Sequence, residues 1–189
     1  MKIRIACLTA ALALAAPALT FTLPAVAQEK TTTVGGAPMY PSKNIVENAV
    51  NSKDHTTLVA AVKAAGLVET LQGKGPFTVF APTNAAFTKL PSGTVDTLLK
   101  PENKSKLTGV LTYHVVPGKM TAQDLMAKVK EGGGKATLKT VQGATLTVTP
   151  SGNSLTITDQ KGGKSTVTIA DVMQSNGVIH VVDTVLLPG

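Results

Sequence analysis

Asn176 to Pro188 reads NGVIHVVDTVLLP, and the fold turns on how this stretch is read. Asn176-Gly177 suits a tight hairpin turn, because both residues tolerate positive φ. Ile179, Val181, Val185 and Leu187 then fall on one face of a strand, with Asp183 in line. Val178, His180, Val182 and Leu186 fall on the other, with Thr184 in line. A strand exposed on one side alternates apolar with polar residues. This one is apolar on both sides, which predicts a strand covered on both faces. Pro188 cannot extend a ladder and closes it. The remaining chain has to supply two layers of cover.

Working outward, Ala136–Val141, Ala144–Thr149, Ser154–Asp159 and Ser165–Val172 alternate apolar residues with Thr or Lys, and Gly- and Ser-rich breaks separate them. They predict a meander of half-buried strands leading into the last one. The segments before them have helical spacing. Asn44 with Glu47, and Thr121 with Asp124, have the form of capping boxes. Ile45, Val46, Ala49 and Val50 share one side of the first helix. Asp54 is placed to cap a second, carrying Leu58, Val59, Val62 and Ala65 and ending at Gly66. Phe77–Phe80 predicts a strand broken by Ala81-Pro82, and Thr83 caps a helix burying Ala86, Phe87 and Leu90. Leu107, Val110 and Leu111 line a later helix that runs into Tyr113-His114-Val115-Val116. Helices first and strands second make an α+β chain.

Residues 1–27 read as a secretory signal peptide. Lys2 and Arg4 form the positive start, Ile5 to Leu23 the apolar core, and Ala25-Val26-Ala27 the cleavage site. The single cysteine, Cys7, leaves with this leader, so the mature chain is expected to have no disulfide and no thiolate chemistry. No second long apolar segment follows, and no transmembrane segment is expected in the mature chain. Its destination is exported: periplasmic, or secreted and extracellular. Residues 28–43, QEKTTTVGGAPMYPSK, lack periodicity and predict a flexible linker. Residues 44–189 form the predicted domain.

Composition narrows the function. Aromatic residues are 3% and Trp is absent, so stacking platforms for nucleic-acid bases are not expected. Formal net charge is +7, with the bases scattered and two of them in the leader. That suits a solvated basic surface, with a weak preference for anionic polysaccharide or an anionic cell surface. No G-x-S-x-G occurs. Lys161-Gly162-Gly163-Lys164-Ser165 ends like a phosphate-binding loop but lacks its first glycine at Thr158. No His, Cys and acidic cluster has metal-ligand spacing. No enzyme activity, cofactor or metal is expected.

Three boxes in order, FTVFAPTNAAF (77–87), Tyr113-His114 and SNGVIHVVDTVLLP (175–188), resemble the fasciclin-like domain. The resemblance spans about 44–188 and is closest to single-domain secreted bacterial members. It implies a fasciclin-like β-wedge or sandwich of antiparallel strands with several short helices packed over it. It also implies a non-enzymatic module of cell adhesion, whose partners are cell-surface or matrix proteins or polysaccharide. The family's Tyr-His box and nearby Asp-Leu box, linked to receptor binding in animal members, match Tyr113, His114, Asp124 and Leu125. The position after Thr83, often acidic in the family, is Asn84 here.

Each site residue has a structural reading as well. Tyr113 packs its ring and His114 satisfies backbone groups, or both meet a partner. His180 reads as a satisfied core histidine, His55 as a surface residue, and Asp183 as pairing with a backbone donor or a nearby Lys. A second function is open: a carrier of an apolar small ligand such as a carotenoid or lipid, in a groove lined by Met120, Met126 and Met173. Those methionines otherwise fill gaps in the core.

Overall fold

The computed structural model describes residues 31–91 and 93–189. The leader, residues 1–27, and Gln28–Lys30 lie outside that range. Two short strands, β1 (Thr32–Val34) and β2 (Ala37–Met39), open it as a hairpin. The helices α1 (Ile45–Ala49), α2 (Thr56–Ala65) and α3 (Val68–Gln72) come next, then β3 (Phe77–Pro82). α4 (Asn84–Thr88), α5 (Thr94–Leu99) and α6 (Lys104–Tyr113) lead to β4 (Val115–Pro117), and α7 (Ala122–Glu131) follows. Five strands close the order: β5 (Ala136–Lys139), β6 (Thr145–Ser151), β7 (Ser154–Thr158), β8 (Lys164–Gln174) and β9 (Gly177–Val182).

The main sheet runs β4-β3-β9-β8-β7-β6-β5. The meander from β5 to β9 is antiparallel throughout. The expectation of an all-antiparallel sheet fails at one pairing: β3 lies parallel to β9, from Phe77↔Gly177 to Pro82↔Val182. The helices between β3 and the meander make that parallel return possible, because such a crossover needs a dozen or more residues. The same pairing shows that Ala81-Pro82 does not break β3. Pro82 sits at its end, where the missing N–H costs least.

β9 is buried at every residue. Its two faces belong to two cores. Ile179 and Val181 join Val79, Ala81, Val115 and Val172 under the helices α1, α2, α4 and α6. Val182 joins Phe80, Val116, Leu146, Val148 and Ile157, with Leu125 and Val129 of α7, on the other side. Each buried aliphatic side chain contributes about 1.5–3 kcal/mol. The strand ends at Val182 rather than Pro188. Beyond it the chain bends, and side chains replace a strand neighbour: Thr184 N–H donates to Ser165 Oγ at 3.1 Å, and Leu187 N–H to Asp159 Oδ2 at 3.0 Å.

Several local expectations are corrected. Residues 32–39 are not a flexible linker. The Gly35-Gly36 turn takes positive φ at both positions, and the hairpin buries Val34 and Met39 against the helical core. Strands of three residues leave too little periodicity to be recognised. The folded body therefore begins before residue 44. Val50 of the first helix faces solvent, and Asn48 turns inward instead, exchanging two bonds with the Tyr40 backbone and donating to Gln174. Asp54 does not cap α2. Asn84 does so from the β3–α4 junction, accepting from Thr57 N–H at 3.0 Å and donating to Lys53 O at 2.8 Å.

The turn into β9 is Ser175-Asn176, and neither Asn176 nor Gly177 has positive φ. Asn176 serves as a clasp. Its Nδ2 donates to Leu71 O (2.7 Å) and Gly73 O (3.1 Å), and its Oδ1 accepts from Ile45 N–H (3.1 Å). Gly177 is required because a Cβ there would collide with the Phe77 carbonyl of β3. Replacing Asn176 by Ala orphans the end of α3 and the start of α1. Urea unfolding is expected to show a loss of about 1–3 kcal/mol with an unchanged m-value. A loss below about 0.5 kcal/mol would mean that water takes over these groups at no cost.

Candidate functional site

α6 delivers Tyr113 and His114 to the junction with β4. Tyr113 is the last helical residue, His114 takes the C-cap in helical conformation, and Val115 starts the strand. Both side chains are buried. The Tyr113 hydroxyl donates to Thr145 O at 2.9 Å and accepts from Gln160 N–H at 3.2 Å. It thus joins the end of α6 to the start of β6 and to the β7–β8 turn. His114 Nδ1–H donates to Val110 O at 2.8 Å, and its Nε2 accepts from Leu186 N–H at 3.0 Å. These partners fix the tautomer and tie α6 to the tail beyond β9. Leu125 packs with Tyr113 in the inner core at 0% exposure. Asp124 is the one of the four that reaches solvent, and it closes the α7 capping box with Thr121.

The sequence-predicted quartet therefore does not form an open surface. Tyr113 and Leu125 are brought together in one core, and His114 is buried on the side of the helical core, each with its polar groups satisfied or its apolar surface covered. What this region presents to solvent is Asp124 and the exposed face of α7. Burial pushes the Tyr113 hydroxyl above its ordinary pKa, with the Gln160 N–H pulling the other way. The Thr121 N–H and hydroxyl hold Asp124 below the usual carboxylate range.

His180 behaves as a core histidine. It stacks on Phe80 with ring centroids 5.7 Å apart, its Nε2–H donates to Met120 O at 2.9 Å, and its Nδ1 accepts from Asp171 N–H at 3.4 Å. Asp171 stands at a β8 irregularity with φ 57°, and its Oδ1 caps α7 through Ala122 N–H at 2.6 Å. Asp183 meets both expected partners, Thr166 N–H at 2.8 Å and Lys89 Nζ at 3.4 Å. His55, read as a surface residue, is buried, because the chain folds it under Ser52, whose Oγ lies 2.8 Å from Nδ1. Its Nε2 makes no hydrogen bond.

Met120 and Met126 pack, half-buried, against the inner core. With Met173 they lie outside the linings of the three cavities described among these residues. Among the described residues, no three His, Cys, Asp or Glu side chains gather in a metal-ligating group. No helix among them is long and apolar enough to cross a membrane. The sequence reading missed Asp159. It binds its own turn through Lys161 and Gly163 N–H and holds the tail through Leu187 N–H. The Asp-x-x-Gly spacing was the available signal for a side-chain-closed turn.

A family model for the fasciclin domain matches residues 53–188. The chain belongs to the fasciclin domain family. Protein sll1483 of a Synechocystis species is 51% identical over 160 residues, covering 85% of this chain and 82% of that protein. Immunogenic protein MPB70 of Mycobacterium bovis is 41% identical over 145 residues, covering 74% of this chain and 66% of that protein. Among solved structures, the FAS1 domain pair of the insect cell adhesion molecule fasciclin I superposes with a TM-score of 0.69 at 22% identity. The match covers 78% of this chain and 52% of that one, and the likeness is one of fold. In this fasciclin domain the β1–β2 hairpin and α1 precede the matched residues, yet both pack into the helical core.

Burial lowers the His114 pKa to about 4, against smaller opposing effects of the Val110 carbonyl and Asp159. A base depressed in the folded state is held neutral there, while the unfolded chain takes up its proton near 6.5. The stability it contributes is present above pH 6.5 and is lost as pH falls toward 4. His55 and His180 are also lowered, mainly by burial, and act in the same direction. Urea midpoints are expected to fall between pH 7 and pH 4, with His114 alone contributing on the order of 3 kcal/mol. The fall should be shallower in His114→Gln. An equal slope in the two proteins would rule out His114 as the titrating group.

Proposed function

We propose that this chain is an exported, non-enzymatic interaction module of the cell envelope. It binds a cell-surface or matrix protein or an envelope polysaccharide, in the periplasm or outside the cell. The observation that carries this reading is membership of the fasciclin domain family, a family associated with extracellular adhesion. The signal-like leader and the scattered positive charge support it. So does the use of Tyr113, His114, His180 and Asp183 in internal hydrogen bonds, which commits the polar residues of the boxes to holding the scaffold. A rigid scaffold suits recognition through surface side chains.

Within this reading, the contact next to the Tyr-His box is the exposed face of α7, with Asp124, Lys128 and Lys130. The buried members of the quartet act through the position of that helix. The purified protein is to be measured by biolayer interferometry against whole cells, envelope polysaccharide and envelope proteins of its host. Saturable binding to one of them is expected. Lys128→Gln, which leaves the capping box intact, is expected to weaken it several-fold without lowering the melting temperature, whereas Tyr113→Ala lowers both. Binding to none of the three classes would sink the proposal. Unchanged binding by Lys128→Gln would move the contact away from α7.

A further inference from the structure

An open cleft of ≈ 480 Å³ lies where three turns meet the start of α1. Gln72 to Pro76 come from the end of α3 and the turn that follows it, Lys119 from the connection between β4 and α7, and Ser175 from the turn between β8 and β9. Hydrogen bonds lock these segments together. Gly118 N–H donates to Pro76 O at 2.9 Å, Phe77 N–H to Asn176 O at 3.1 Å, and Ser175 N–H to Lys43 O at 2.9 Å. A Cβ at Gly75 would strike the Asn176 carbonyl, so main chain packs directly on main chain here. A ligand entering so fixed a cleft has little loop ordering to bear.

The charge of the cleft is one-sided. Lys74 and Lys119 are exposed in its lining, which among the described residues contains no acidic side chain. Among those residues neither ammonium group is in an ion pair. Glu47, on the neighbouring helix, keeps its carboxylate on the Asn44 N–H at 2.9 Å. We infer that this cleft binds one or two rings of an acidic saccharide, with Lys74 and Lys119 meeting its carboxylates. The inference rests on the envelope-binding role proposed above and gives that role a ligand class.

The lining selects that chemistry. It holds no aromatic side chain, so neither a neutral sugar nor a nucleic-acid base finds a ring to stack on, and affinity has to come from charge. Lysine is a compact cation on a flexible stem and meets a carboxylate without demanding one geometry. Gln72 and Ser175 add an exposed carboxamide and an exposed hydroxyl, which can donate to or accept from ring hydroxyls. Exposed Pro76 offers a small apolar patch to the C–H side of a pyranose. The volume falls within the range of small-molecule clefts, about 300–1,000 Å³. No residue of α7 lines the cleft, so the two surfaces can be tested separately.

The purified protein is to be titrated with a galacturonic acid trimer, with the methyl ester of the same trimer and with inorganic phosphate, each followed by amide chemical shifts. The trimer is expected to shift Gly73, Lys74, Lys119 and Ser175 saturably. The ester, which lacks only the charge, and phosphate, which lacks the rings, are each expected to bind more weakly by about fivefold or more. Lys74→Gln and Lys119→Gln are each expected to weaken trimer binding about two- to fivefold, the worth of one solvent-exposed ion pair. Both side chains are exposed, so the melting temperature should stay unchanged. Lys139→Gln, an exposed lysine of β5, is expected to leave trimer binding as it was. The inference is overturned if the trimer gives no saturable shift, or if the ester binds as tightly. It is equally overturned if phosphate matches the trimer, which would mean an ion site only, or if Lys139→Gln costs as much as the cleft lysines, which would mean overall charge. A protein that ignores the trimer yet binds cells or an envelope component keeps the envelope-binding role and loses this cleft.

Discussion

The parallel contact between β3 and β9 is the constraint from which the rest of the structure follows. It places β9 between two strands and between two cores, with every residue covered. No polar group on it can turn to water. Gly177 lets the two backbones approach, Asn176 fastens the turn before it to two helices, and His180 finds carbonyl and amide partners on both sides of its ring. Buried polar groups are costly when unpaired and specific when paired. The boxes that define the family are the places where those pairings are made.

The same logic explains why the tail after β9 keeps its place without a ladder. Leu186 N–H is received by His114, Leu187 N–H by Asp159 and Thr184 N–H by Ser165. Each acceptor comes from a different element, so the tail welds the end of α6, the β7–β8 turn and β8 together. Tyr113 separately ties the same end of α6 to β6 through Thr145 and to the β7–β8 turn through Gln160. Tyr113 and His114, two of the residues that family pattern singled out, are thus fasteners of the sheet and its tail.

Much of this was legible in the sequence. The two-sided apolar pattern of β9, the Thr-alternating meander and the capping boxes at Asn44 and Thr121 depend on local periodicity and local hydrogen bonds, which a sequence carries directly. What escaped is non-local. Asn84 caps a helix whose first turn lies 27 residues upstream. His55 is buried by packing that no neighbour announces, and the hairpin strands are too short to show a period. The parallel sense of β3 against β9 depends on the crossover between them, and neither strand alone records it. Tyr113, His114, Asp124 and Leu125 were singled out by family pattern, and tertiary contacts that the pattern does not record bury three of the four.

One closing feature is the meeting of the sheet's two ends. Val141 N–H, just after β5, donates to Val115 O of β4 at 2.8 Å. That bond joins the margins of the first and last strands of the order at one point. An open margin is where a foreign strand would add itself and where identical copies would string into fibres. With Val141 and Val115 joined across it, this margin offers less unpaired backbone for such an addition, and exposed side chains on the helices can change without disturbing that closure.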